Sequence, residues 1–233
     1  MKFPNVAAGI KKIFTAEILS LIGLGCTGVM LLMSLMVVQS AQNIENGQIT
    51  EVSVSGFYAG GAAMLLFGLG AAVLLIIGFI FLLIGANKAS KDEDSQGDHN
   101  FQYAFITMIF SVVLSIGGAA LSTAAPTFAK AMTSVSSVGE IISTYFILYG
   151  ISSFAKKIGN TELAEKSYKM VWAILFLHIF GLVLESIPNF ISAGTMSGTI
   201  LIILAILGLV LAVVSYILYL KILVDAKKAF AEA

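Results

Sequence analysis

YFILYGISSFAKKIGNTELAEKSYKMVWAILFLHIFG, residues Tyr145 to Gly181, is the stretch that decides the fold. An apolar segment runs out into Lys156 and Lys157, a short polar stretch follows, and the chain turns apolar again through Tyr168, Lys169 and Trp172. That pattern is two membrane helices joined on the lysine-rich side of a bilayer, and the chain writes a version of it three times.

Composition agrees. Of 233 residues, 58% are hydrophobic and only 11% are charged, and mean hydropathy is +0.99. A soluble domain carries about a quarter of its residues as charges. Here the charges bunch between apolar runs, so lipid is the solvent for most of the chain. In lipid the backbone must satisfy its own hydrogen bonds, which leaves helices or a closed barrel. The runs reach 20 residues and do not alternate polar with apolar, so they are helices. Net charge is zero, and all 13 basic residues are lysine. The absence of arginine, the usual fork for phosphate and carboxylate, argues against nucleotide, lipid-phosphate or nucleic-acid chemistry, although an AT-rich genome gives the same composition. The single Cys26 excludes an internal disulfide.

The N-terminal MKFPNVAAGIKK reads as a short basic segment, followed by helix 1 at Ile13–Val38. A signal peptide is the competing reading, but the run is too long for one and holds Glu17. Gln39–Ser55 reads as a loop in which Asn46-Gly47 joins two strand-like pieces, Gln42–Glu45 and Ile49–Val54. Helix 2 is expected at Gly56–Ala86, about 46 Å long, so it must tilt or protrude. The loop Asn87–Asn100 carries Asp92, Glu93, Asp94 and Asp98. It lacks the alternating ligands, central glycine and closing glutamate of a calcium loop and reads as a solvated acidic loop. Helix 3 is expected at Phe101–Thr123, helix 4 at Val135–Ala155, helix 5 at Ser167–Ile187 and helix 6 at Thr199–Val224, with DAKKAFAEA extending into water. Pro126 and Pro188 are expected to end helices 3 and 5.

With six helices drawn, Lys2, Lys11, Lys12, Lys88, Lys91, Lys156, Lys157, Lys166, Lys169, Lys221, Lys227 and Lys228 fall on one side and Lys130 alone on the other. By the positive-inside rule both termini are cytoplasmic. The ends of the even helices resemble one another, with Lys91, Lys156 and Lys227 spaced 65 and 71 residues apart. The starts of the odd helices do too: Ile13…Ala16, Phe101…Ala104, Met170…Ala173. Three tandem two-helix units by duplication explain both.

Gly23-Leu-Gly25-Cys-Thr-Gly28 fits a dinucleotide fingerprint literally, but it lies mid-span with no preceding strand. It reads instead as a small-residue packing face, as do Gly60, Gly61, Gly68 and Gly70 in helix 2 and Gly117 in helix 3, because close backbone approach drives association in lipid. Four ionisable groups lie in or at the edges of the spans; Glu17, about one turn past Lys12, reads as snorkelling to the cytoplasmic surface, and the other three are the candidate site: His178 near the middle of helix 5, Glu185 on the same face, and Glu140 opening helix 4 from the outer side. One histidine with distant carboxylates makes a poor metal site. H-E-x-x-H, G-x-S-x-G and C-x-x-C are absent, and Ser111, Ser115, Ser143 and Ser152 have no distinguishing context as nucleophiles.

The expectation is therefore an all-α integral membrane protein, one membrane domain over 1–233: a cytoplasmic N-terminus (1–12), three hairpins (13–91, 92–157, 158–224) and a cytoplasmic tail (225–233). It suits a bacterial plasma membrane. No catalytic residue, cofactor or metal is expected. The lipid bilayer is the expected partner, with a second copy or another membrane protein as a further one, and no nucleic acid. Two functions fit: permeation of a small solute, proton or cation past His178, Glu185 and Glu140, or a structural role in which glycine faces pack on a partner.

Overall fold

The computed structural model describes the chain apart from residues 1, 46–50, 94–97 and 191–197, and it leaves undescribed the side chains of 39–40, 42–45, 51–53, 178–179, 181–190, 198–206, 208–209 and 212. Six α-helices account for nearly all of it: α1 (Pro4–Glu45), α2 (Glu51–Ala89), α3 (Asn100–Leu121), α4 (Pro126–Lys157), α5 (Thr161–Phe190) and α6 (Gly198–Glu232). A single 3-10 turn, Ser90–Asp92, follows α2. Among the described residues, four spans are long and apolar enough to cross a membrane: Pro4–Val38, Val54–Asp92, Asn100–Leu121 and Pro126–Lys157. Their outward residues are large and apolar. Leu32, Leu35, Leu65 and Leu66 are 65%, 66%, 70% and 75% exposed, a surface that lipid tolerates and water does not.

Every helix except α3 is longer than the apolar run read for it, and the ends explain why. Pro4 sits in the first turn of α1, where its missing N–H costs nothing. Asp92 reaches back to that turn and accepts hydrogen bonds from the Asn5 and Val6 backbone N–H groups (2.7 and 2.9 Å) and from the Asn5 amide (2.7 Å). The N-terminal segment is thus helix, with Val6, Ile10 and Ile13 fully buried. Glu93 does the same for α3, accepting from the Phe101 and Gln102 N–H groups at 2.6 and 3.1 Å. Asp98 pairs with Lys157 at 2.9 Å and accepts from Ser153 at 2.9 Å. The acidic loop is therefore not simply solvated; three of its carboxylates close helix ends. Asp94 lies outside the described residues.

Four further expectations are corrected. Gln42–Glu45 and Glu51–Val54 are helical rather than strands, and Asn46-Gly47 lies outside the described residues. Pro126 begins α4 rather than merely ending α3, so α4 starts nine residues before Val135. In α5 the helix runs through Pro188 to Phe190. The C-terminal segment stays in α6 to Glu232, and Ala226 and Phe230 are 0% and 1% exposed. It packs rather than extending into water.

The α4–α5 connection shows how the sequence makes its turn. Gly159 adopts φ +80°, the left-handed conformation that glycine takes without strain. Its N–H donates to the Lys156 carbonyl (3.0 Å) and the Asn160 N–H to that of Ala155 (2.9 Å), closing α4 with a Schellman motif. The Asn160 side chain then accepts from the Leu163 N–H (3.0 Å) and opens α5.

The chain forms two compact units, Thr15–Leu82 and Met1–Phe14 with Leu83–Ala233. In the first, the middles of α1 and α2 run antiparallel in contact, Gly23 against Leu75 and Gly60 against Val37. In the second, α3 and α4 run antiparallel, α4 packs on α5 and α5 on α6. Its core at the lysine-rich end holds Ile10, Phe101, Leu148, Ile151, Phe154, Leu223 and Phe230.

Candidate functional site

Helix α4 carries the polar groups. It is the least apolar of the four candidate spans and the most buried, and at about 100° per residue its side chains sort into three faces. Ala129, Ser136, Gly139 and Ser143 are buried. They form the seam with α3, where the Ser136 hydroxyl donates to the Ser111 carbonyl (2.7 Å) and receives the Ser115 hydroxyl (3.1 Å). Gly139 lies against the Ser111 hydroxyl with no room for a side chain, and a Cβ on Gly118 would meet the Ala129 carbonyl at 3.1 Å. A second face, Phe128, Val135, Val138 and Ile142, is apolar and exposed. The third is a stripe of Lys130, Thr133, Ser134, Ser137, Glu140 and Thr144 at i, i+3, i+4, i+7 spacing. All but Thr144 are exposed, and Thr144 is partly so. Further along the helix the same line continues into Leu148, Ile151, Ser152 and Ala155, which are buried, with the Ser152 hydroxyl bonded to the Ala164 carbonyl of α5 (2.8 Å).

Glu140 does not open α4. It stands fourteen residues after Pro126 and seventeen before Lys157, about 21 and 26 Å from the helix ends. The expectation failed because Thr127, Lys130, Thr133 and Ser134 hide the helix start from a hydropathy reading. A carboxylate near the middle of a span is costly against lipid and marks a face that lipid does not cover. His178 and Glu185 belong to α5 by position; their side chains lie outside the described residues. The stripe itself was readable at helical spacing, since Lys130, Ser137 and Thr144 repeat every seven residues and Thr133 and Glu140 likewise.

The packing glycines separate into two kinds. A Cβ on Gly23 would meet Leu75 at 3.0 Å, on Gly60 Val37 at 2.7 Å, on Gly68 Met30 at 3.0 Å and on Gly117 the Met132 methyl at 2.6 Å. Gly70 contradicts the expectation: nothing lies within 4 Å of its Cβ position, and the same holds for Gly25, Gly28 and Gly61. The closest approach of a glycine to main-chain atoms among the described residues is one that hydropathy gave no reason to single out. A Cβ on Gly9 would sit 2.6 Å from the Gly85 carbonyl, and one on Gly85 2.9 Å from that of Gly9.

At the lysine-rich end two carboxylates are shifted in opposite directions. Burial pushes Glu93 above its ordinary value, partly offset by the Phe101 and Gln102 N–H groups. The Lys157 ammonium holds Asp98 below its own, with the Ser153 hydroxyl adding to it against some burial. The hydroxyls of Ser111, Ser143 and Ser152 each donate to a main-chain carbonyl. Among the described residues no group of three His, Cys, Asp or Glu side chains stands close enough to hold a metal ion. No protein family, curated protein or solved structure matches the chain.

Proposed function

We propose that this is a six-span plasma-membrane protein, three tandem hairpins with both termini cytoplasmic, that lets a small solute or ion pass along the polar stripe of α4. The observation that carries the reading is Glu140, exposed near the middle of α4 within a line of Lys130, Thr133, Ser134, Ser137 and Thr144. The neighbouring face of the same helix is apolar and equally exposed. A helix with one face for lipid and one polar face is what a path through the membrane requires. His178 and Glu185 of α5 join the path in this proposal.

The six-span count draws support from the lysine-rich end. α5 begins four residues after Lys157, while the Ala233 carbonyl accepts from the Lys2 N–H (3.2 Å) and Lys2 Nζ donates to the Lys157 carbonyl (3.2 Å). Starting and finishing at one end asks α5 and α6 to cross and return. Duplication draws support from a recurring contact. Gly85 meets Ile13 in the first hairpin and Gly150 meets Phe101 in the second, and these are the positions that the internal repeat aligns.

A second reading, docking to another membrane protein or a second copy, rests on Gly25, Gly28, Gly61 and Gly70, whose Cβ positions are open, and on a shallow apolar groove lined by Met30, Gly61, Met64, Leu65, Gly68 and Leu69. Reconstitution decides between them. Liposomes holding the purified chain should release ions or small solutes faster than protein-free liposomes, and Glu140→Gln should slow that release. Wild-type liposomes no leakier than empty ones would remove permeation and leave docking.

A further inference from the structure

The hydroxyls of the α4 stripe turn their protons inward, as Thr27, Thr107 and Ser111 do in the other helices. The Thr133 hydroxyl donates to the Ala129 carbonyl (3.0 Å) and that of Ser134 to Lys130 (3.0 Å). Likewise Ser137 donates to the Thr133 carbonyl (3.2 Å) and Thr144 to that of Glu140 (3.1 Å). A carbonyl can only accept, so the single hydrogen of each hydroxyl is held inside the helix and its lone pairs face outward. The Glu140 carboxylate, when ionised, is acceptor only. From Thr133 to Thr144 the stripe thus presents oxygen acceptors and no free side-chain donor. Lys130, at one end and about 15 Å from Glu140 along the axis, is its one donor group.

An anion or a carbonyl-rich solute would find nothing to bind between Ser134 and Thr144. A cation would find oxygens throughout. The charge count narrows the class further: calcium and magnesium take several charged or carbonyl oxygens in a cage, whereas a single carboxylate flanked one turn away by Ser137 and Thr144 matches one positive charge. Resting on the permeation reading, we infer that the α4 path conducts a monovalent alkali cation that pauses at Glu140, with the Ser137 and Thr144 hydroxyl oxygens, about 10 Å apart along the axis, as stepping points on either side of it.

The test uses the full chain in liposomes with separate readouts for sodium or potassium, protons and chloride. Sodium or potassium flux is expected, with chloride flux at the protein-free level. Glu140→Gln should lower cation flux by roughly tenfold or more, as losing the only charged ligand does in carboxylate-lined pores. Ser137→Ala with Thr144→Val should lower it several-fold, and Val138→Ala on the apolar face should leave it unchanged. A hydrophobic carbodiimide supplies a measurement on the wild-type chain: it should modify Glu140, and sodium or potassium should slow the modification while choline does not. Chloride flux, or proton flux with no sodium or potassium flux, overturns the cation assignment and leaves permeation standing. Modification of Glu140 at one rate in sodium, potassium and choline overturns the pause site. No flux of any ion or solute removes the permeation reading and this inference with it.

Discussion

Asp92, Glu93 and Asp98 stand within seven residues of one another, and each grips a different part of the fold. A carboxylate accepting main-chain N–H groups at a helix start stabilises both the orphan donors and the positive end of the helix. Asp92 does so for α1 across 87 positions of sequence. Asp92→Ala should therefore lower stability by about 1–2 kcal/mol, the usual cost of a lost cap, read as a fall in the thermal midpoint in detergent. Glu93 and Asp98 should respond to pH with opposite sign. The Glu93 pKa is raised by burial, so its folded form favours the proton. Its contribution is full below its unfolded value and is lost as pH rises through the higher folded one. Asp98 is lowered by Lys157, so its contribution is present above its unfolded value, near pH 4, and is lost as pH falls through the folded one. The midpoint gap between wild type and Asp98→Asn should accordingly close on acidification below about pH 4, while the gap to Glu93→Gln should widen in favour of wild type between neutral pH and about pH 4. Gaps that stay constant with pH would show that neither carboxylate is coupled to folding.

At the scale of the element, the helices are held by backbone contact where glycine permits it. Gly85 faces main-chain atoms, the Gly9 carbonyl and the Ile13 nitrogen at 2.9 and 3.0 Å, which have no freedom to give way. Gly85→Val should cost on the order of 3 kcal/mol or abolish folding, as overpacking against a fixed neighbour does. Gly70→Leu should leave the melting of the purified chain unchanged, because its Cβ position is open. A clear loss at Gly70 would mean that this face is covered by a partner or a second copy. The existence of the helices was legible because apolar runs of membrane length have no other solution in lipid. Their ends were not. The start of α1 depends on Asp92 and the start of α3 on Glu93, and hydropathy cannot see such long-range caps. In α4 the polar residues from Thr127 to Ser134 interrupt the apolar pattern although the helix continues through them, which displaced Glu140 from the middle of its helix to the beginning. The stripe to which Glu140 belongs was written in the sequence at helical spacing, but only a helix starting at Pro126 puts it on one face.

The whole molecule ties both ends of the chain to one place. Lys2 meets Ala233 and Lys157, Phe3 stacks edge-on against Phe154 at 5.0 Å, and Lys227 lies 4.8 Å above the Phe14 ring. These contacts gather the stretch Lys2–Phe14, the end of α4 and the end of α6, all rich in lysine. The proposal places these lysine-rich ends on the cytoplasmic side by the positive-inside rule. If α4 crosses the membrane, as proposed, the Ser122–Ala125 turn lies on the opposite side. Accessibility measures that directly. In a Cys26→Ser chain, cysteines at Thr161 and Ala231 should react with an impermeant thiol reagent only from the cytoplasmic face, and one at Thr123 only from outside; all three positions are exposed. Thr161 serves better than Gly159, whose positive φ would strain any side chain. If Thr123 and Thr161 react from the same side, α4 does not cross the membrane, and the polar stripe with Glu140 lines no path through it. If Thr161 and Ala231 react from opposite sides, α5 and α6 do not form a returning pair, and the count of six spans fails even though α4 crosses.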